Sequence, residues 1–548
     1  MYMAGGFIKK VRRRPFISFI AALVILYVFW LFIAVLPFLR FAFNPFGLFG
    51  GEKNYLVVFQ NNYELRPTGG FISSFGILTL KNGLPVSFNF EDVYGTVDDH
   101  GFVEPPAPMG KLLAHPTYKG YTFRDANFYP DFPKSVSEME RMLHLTRPFQ
   151  RLDGVFAVDV TFIEKWLSKV GSVKINGEKL EPEHLVEQIE NEVAGVDLHD
   201  LEALKNRKSI LKTLAVKLGL KSLRPWNLPG FFSAIEESLN EKHILLYFKD
   251  DGLQGIVKDK DWGGNMEPSA GEDFLAVVDS NYGGGKSNRY VGRNIFYEID
   301  LESGESRLDV RYEHPGDMYL PLSTNYRAYL RAYVPADHSV KNAELSGREG
   351  DLFYAGQTFE MPIRSNKTVS FDFSFPRSVL DSLIYNLNIK KQPGTFNDFY
   401  YVSVRVPTGM RIKSDDFKTA ENIATFSGAL DRDKRLSLEL VKDPYPPRII
   451  SQELKNLNEF EIWWNEPVSP ASLNSRAWAI HDKNVQNPLS DTINIEKIEL
   501  DGTRLIIKTG GMTPQTEEVY ELEISGVSDY SGNALGKRTY TFYQRLGK

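Results

Sequence analysis

At 548 residues the chain is too long for one hydrophobic core and implies roughly three or four structural units. It has no cysteine, which excludes disulfides, thiolate metal sites and cysteine nucleophiles. The charged residues before position 51, Lys9, Lys10, Arg12, Arg13, Arg14 and Arg40, are all basic, which leaves 58 basic against 70 acidic side chains beyond them. A body of net charge −12 excludes general nucleic-acid binding, so no nucleic-acid partner is expected.

Pro15 to Leu39 carries no charge, and as a helix rising about 1.5 Å per residue it would span the roughly 30 Å hydrocarbon layer of a bilayer. The run is longer than a signal-peptide core and no A-x-A pattern follows it, so it is expected to stay uncleaved. The expectation is a basic cytoplasmic tail at 1–14, a single transmembrane helix at 15–39 and everything after Arg40 extracytoplasmic, with the lipid bilayer as a partner.

After a Gly/Phe-rich spacer, "YLVVFQ", "FGILTL" and "PVSFNFEDV" read as short strands. From Pro133 the period changes to that of a helix, with Val136, Met139 and Leu143 on one face. A second helix follows in "DVTFIEKWLSKVG", with Asp159 as N-cap and Gly171 as C-cap. Further helices are expected in "EPEHLVEQIENEV" and "DLEALKNRKSILKTLAVKLGL", and a buried strand in "HILLYF". From about Tyr290 alternating segments such as "YRAYLRAYVP" and "YYVSVRVP" read as sandwich strands. "DPYPPRI" is a stiff joint before a last all-β unit. The expected organisation is multidomain, α/β plus all-β: an α/β unit at 50–285, a β-sandwich at 286–440, a Pro-rich linker at 441–448 and an Ig-like unit at 449–548.

The stretch "NNYELRPTGGF" has two readings. Pro67 with Gly69 and Gly70 would present backbone amides to an anion while Arg66 forks onto phosphate. Alternatively it is a tight turn in which Arg66 pairs with Glu64. "FRDANFYPDFP" collects Arg124, Asp125, Asn127 and Asp131 among aromatics. Its carboxylates would suit magnesium, or Asp125 pairs with Arg124 and Asp131 favours the start of the next helix. Arg207 and Lys208 lie on a basic helix, either a solvated face or a phosphate contact. Other patterns fail: "GGGKS" has Ser280 where a P-loop needs Gly, Asp98-Asp99-His100 lacks a second His at ligand spacing, and there is no G-x-S-x-G elbow.

Six of these stretches, "NNYELRPTGGFISSFGILTLKNG", "RDANFYPDFPKS", "LDGVFAVDVTFIEKWLSKVGSV", "KHILLYF", "NYRAYLRAYVP" and "KKQPG", together resemble bacterial membrane-anchored proteins of domain-of-unknown-function family 4012, over about residues 50–410. The order of the first unit also resembles the LytR-CpsA-Psr domain, whose members transfer glycopolymers from a polyprenyl pyrophosphate carrier to the cell wall. That resemblance implies catalytic roles for Arg66 and Arg207, phosphate binding by Arg66, Gly69, Gly70, Arg124, Arg207 and Lys208, and a magnesium cofactor on Asp125 and Asp131. The sequence departs from that pattern at Thr68-Gly69-Gly70, where an Asp is expected, and at Asn206-Arg207-Lys208-Ser209, a reduced form of the Arg-x-x-Arg-Gln helix. The last unit, with "EPVSPASL" and "VSDYSGNAL", resembles bacterial Ig-like domains of S-layer and other surface proteins. Two functions remain open: an envelope protein that binds or transfers a polyprenyl-linked glycan or cell-wall polymer, or a non-catalytic surface or adhesion protein.

Overall fold

The computed structural model describes residues 51–93, 96–97, 100–113, 120–188, 201–283, 285–317, 319, 322–376, 382–396, 398–420, 422–456, 458–473, 478–483, 492–510 and 517–545; the side chains of 201–211, 517–518 and 543–545 lie outside that description. The expected anchor at 15–39 and basic tail also fall outside it. Among the described residues no helix is long and apolar enough to cross a membrane.

The first unit is built on a five-stranded sheet. β1 (Glu52–Asn61) pairs antiparallel with β2 (Phe71–Lys81), which pairs antiparallel with the edge strand β3 (Leu84–Asp92). On its other side β1 runs parallel to β4 (Gly154–Asp159), the strand of "GVFAVD". A hairpin, β5 (Val173–Ile175) with β6 (Glu178–Leu180), stands apart, and β7 (Ile244–Phe248) closes the sheet beside β4.

Alternation along β1 gives the sheet two buried faces. Leu56 and Val58 pack with Phe75, Met139 and Leu143, under the helix α1 (Phe132–Thr146). Tyr55 stacks on Phe156 on the other face, and Phe59 meets Phe88 and Phe90 there. That second face is covered by α2 (Val160–Val170), α3 (Leu201–Ser222) and α4 (Leu228–Asn240). As the sequence indicates, the Asp159 carboxylate caps α2 by accepting from Phe162 N at 3.1 Å, and Gly171 ends it at φ +90°. α5 (Asp251–Asp259) is capped likewise by Asp250, which accepts from Leu253 N. "EPEHLVEQIENEV" opens with the 3-10 turn Pro182–His184, and its residues from 189 onward lie outside the description.

The next strand, β8 (Asp273–Asn281), corrects the expected boundary at 285. All nine of its residues are buried, and it pairs antiparallel with Tyr326–Pro335 and parallel with Ile384–Lys390. It is therefore a central strand of the sandwich, not the last of the α/β unit. The sandwich consists of two seven-stranded sheets, and Leu275, Val277, Tyr297, Leu330, Phe371 and Val402 are among the residues of its shared core. Its last strand ends at Lys442 and the next begins at Ile449, so the proline-rich joint occupies 443–448. The third unit is also all-β: seven strands around Phe460, Trp464, Trp478, Ile507 and Leu522.

Candidate functional site

The loop after β1 takes the turn reading in a form the sequence does not disclose. Arg66 is 2 % exposed. Its Nη2 lies 3.1 Å from Glu64 Oε1 and 3.8 Å from Asp125 Oδ1, and its Nη1 donates to the Asn281 carbonyl. The guanidinium sits 4.4 Å from the centre of the Tyr282 ring. Burial pushes the Glu64 and Asp125 carboxyls upward, and the charge of Arg66 opposes that shift for both.

Gly69 and Gly70 do not form an open cradle for an anion. A Cβ on Gly69, which stands at φ +133°, would strike the Gln60 side chain, and one on Gly70 would strike the Asn61 backbone. From the sandwich, Gly394 (φ +76°) presses onto the backbone of Gly69 so closely that a Cβ there would overlap it. Asn62 Nδ2 donates to the Gly394 carbonyl at 3.1 Å, and Gln392 Nε2 donates to the carbonyls of Asp279 at 2.6 Å and Arg66 at 3.4 Å. "RPTGG" and "KKQPG" thus interlock across the junction of the first two units. Beside them Asp433 bridges Lys242 and Lys390, each at 2.7 Å. Burial lowers the neighbouring Lys391 ammonium to about 8 while it donates to the Gln392 and Thr395 carbonyls.

The expected phosphate and metal sites change accordingly. Arg66 has its guanidinium engaged by carboxylates, a carbonyl and an aromatic ring, so it is not presented to a substrate. Arg124 lies 3.9 Å from Asp125, as in the ion-pair reading. Asp125 is buried between two arginines, whereas Asp131 stands at the N-cap position of α1 with its carboxyl pushed up to about 6 by burial. Among the described residues the three acidic groups that converge are Asp443, Glu466 and Asp529, one oxygen of each within 4.8 Å of the others; neither Asp125 nor Asp131 belongs to that group. Arg207 and Lys208 fall on α3, and their side chains are outside the description. The described part of α3 covers the Phe59 face of the sheet, whereas Arg66 joins Asp125 and Tyr282 on the Leu56 side, so the expected shared arginine site is not assembled there.

What the fold does enclose is a cavity of about 230 Å³ on the Phe59 face. Phe59, Phe88 and Phe90 form one wall, and Ile163, Trp166, Leu214 and Leu218 of α2 and α3 face them. Polar groups gather at one end: Gln60 and Asn61 close β1, Ser73 and Ser74 open β2, and Asp159 closes β4. This end lies at the carboxyl termini of two parallel strands, where α/β sheets commonly bind ligands. Asp159 is held there by His243, 2.7 Å away, and the Ser74 hydroxyl is buried without a hydrogen-bond partner among the described residues. Lys212 brings one cation to the lining. Sequence reasoning missed this cavity. Its trace in the sequence is "SFNF", two aromatics that alternate on an edge strand.

No match is found among curated proteins. Among solved structures, similarity is found to the N-terminal part of the bacterial S-layer protein SbsC, with 16% identity over 18% of this chain and 24% of that one and a TM-score of 0.17. The Lin1025 protein from Listeria innocua is similar at 10% identity over 41% of this chain and 85% of that one, with a TM-score of 0.22. At these scores neither bears on the fold. The stretch that carries the Arg66 loop, α1, β4, α2 and much of the cavity wall, residues 50–193, matches the model of a family described as Protein of unknown function (DUF4012).

Proposed function

We propose that the chain is an extracytoplasmic envelope protein, anchored through residues 15–39, whose α/β unit receives the hydrocarbon part of a polyprenyl-linked lipid. One observation carries this reading: a mostly apolar cavity with polar groups at one end, the profile of an amphiphile. Its volume, below the ~300–1,000 Å³ of ordinary ligand pockets, suits a segment of chain, with the remainder outside. The resemblance of the first unit to LytR-CpsA-Psr domains supports the same class of ligand. Binding is favoured over glycopolymer transfer, because transfer in that scheme needs Arg66 at the pyrophosphate and Arg66 is spent on the junction. Magnesium on Asp125 is not part of the reading, since Arg66 and Arg124 already flank that carboxylate. The Ig-like unit extends the chain outward as a spacer or binding module.

The test uses the full chain in detergent micelles and a diazirine-bearing polyprenyl phosphate. Cross-links are expected on peptides carrying Phe88 or Leu214, with labelling reduced at least fivefold by Ala215→Trp, which adds bulk at the lining. Labelling spread over the surface, or unchanged in that variant at unchanged melting temperature, refutes the reading.

A further inference from the structure

The cavity opens where β3 meets α3. Phe88 and Val216 both line it, yet they are 37 % and 51 % exposed, so they mark its mouth. From that mouth two apolar strips continue over the surface. Leu84 and Val86 lie on the edge strand, Val216 and Leu220 stand one turn apart on α3, and Leu223 follows directly after its end; each of the five is more than half exposed. Exposed apolar side chains scattered singly need no explanation, but a rim of them beside the mouth of an apolar cavity does.

The path of the chain indicates what covers this rim. The uncharged run 15–39 ends thirteen residues before Glu52, a distance of at most about 45 Å even when fully extended. Glu52 pairs with Lys81, and Lys81 pairs in turn with Leu84. The chain therefore enters the first unit at the sheet end where the apolar strip on β3 begins. Between 212 and 224 the end of α3 and the turn after it also carry Lys212, Lys217, Lys221 and Arg224 and no acid. Basic side chains bordering an apolar stripe match the interface of an anionic leaflet. Lys217 and Lys221 are held in place by donating to the carbonyls of Lys174 and Ser172 in the hairpin segment.

We propose that this rim seats on the outer leaflet of a phospholipid bilayer, so that a lipid chain passes from the leaflet into the cavity without crossing water. The proposal rests on the lipid-binding reading above and adds the surface through which the lipid arrives. A small cavity that holds only part of a chain is sufficient in this arrangement, since the remainder stays in the bilayer.

The absence of cysteine makes site-directed labelling direct. Leu84→Cys, Leu220→Cys and, as a reference in the sandwich, the exposed Tyr319→Cys are made in the full chain, labelled with a nitroxide and reconstituted into phosphatidylethanolamine–phosphatidylglycerol vesicles. Seating predicts that labels at 84 and 220 collide with an aqueous nickel chelate at least fivefold less often than the label at 319, and with oxygen more often. Equal nickel collisions at all three sites overturn the proposal. Nickel protection without a gain in oxygen collisions also overturns it, because protein rather than lipid would then cover the rim. A double variant, Leu220→Glu with Leu223→Glu, separates the two readings. Cross-linking by the polyprenyl phosphate is expected to persist in micelles and fall at least tenfold from vesicles. Unchanged capture from vesicles removes the seat and leaves the cavity standing, whereas protected nitroxides in a wild-type chain that captures nothing in micelles remove the ligand and leave the seat.

Discussion

The chain has two junctions between units, and they differ in how many charged and polar groups they bury. Where the α/β unit meets the sandwich, two glycine-bearing loops interlock, Arg66 and Gln392 reach backbone carbonyls across the boundary, and Asp433 neutralises two buried lysines. Where the sandwich meets the third unit, a six-residue proline-rich joint is met by partly buried contacts: Ser531 and Asn533 donate to the Gly409 and Asp443 carbonyls, Arg411 pairs with Asp443 at 2.8 Å, and Gly409 (φ +89°) packs against the Tyr530–Ser531 backbone. The first junction is a continuation of the core, and its buried polar groups fix one geometry. The second is only partly buried, as between domains whose relative motion is the ordinary expectation. These contacts predict that residues 52–442 unfold as one body and that the third unit is joined to it less tightly.

The comparison breaks first at Asp433. Asp433→Ala leaves Lys242 buried without its counter-charge and Lys390 with Asp261 alone, 3.4 Å away, and is expected to cost about 3–5 kcal/mol, lowering in one step a melting transition shared by the first two units. Two separate transitions in the wild type would contradict the single body. Gly394→Ala comes next. The added methyl meets the Gly69 backbone at a positive φ, and a loss of about 1–3 kcal/mol is expected in urea unfolding of that same transition, with the third unit unaffected. The third prediction concerns pH. Burial and hydrogen bonding with Asp443 raise the Glu466 carboxyl to about 7. Its folded value is above the ordinary one, so its contribution is fully present below about pH 4.5 and is lost as pH rises towards 7. The third unit should therefore loosen from the sandwich between pH 5 and 7.5, read as a rise in interdomain distance by double electron resonance, and Glu466→Gln should flatten the profile. Lys391, lowered to about 8, has the opposite sense: its contribution grows as pH rises from about 8 to 10.5, so the first junction gains where the second has already lost. The smallest effect is expected for Asn533→Ala, under about 1 kcal/mol, with the shared transition unchanged in calorimetry.

Local chemistry was legible in the sequence and long-range pairing was not. Asp159 and Gly171 bound α2 because capping is decided within four residues, and the alternation of "YRAYLRAYVP" identifies a strand because one face of it is buried. The nine residues of β8 read equally well as the end of the first unit, since a fully buried strand has no pattern that says which sheet it joins. Arg66 posed the same difficulty. Its pairing with Glu64 was one of two readings, but Asn281, Tyr282 and the Gly394 loop are more than 200 residues away, and only the fold brings them to it. The cavity was invisible for a related reason: its walls come from β1, β2, β3, β4, α2 and α3, each of which looks like an ordinary core element by itself.

The position of β8 also fixes the order in which the polypeptide can mature during synthesis. Its parallel neighbour lies more than a hundred residues downstream, and the strand beyond that ends at Lys442. Until that stretch has left the ribosome, the strand that ends at Asn281 lacks its parallel neighbour and the loop around Arg66 lacks the Gly394 backbone that clamps it. The part that emerges first is thus among the last to be completed, and a chaperone that shields nascent segments would have its longest task at the beginning of the chain.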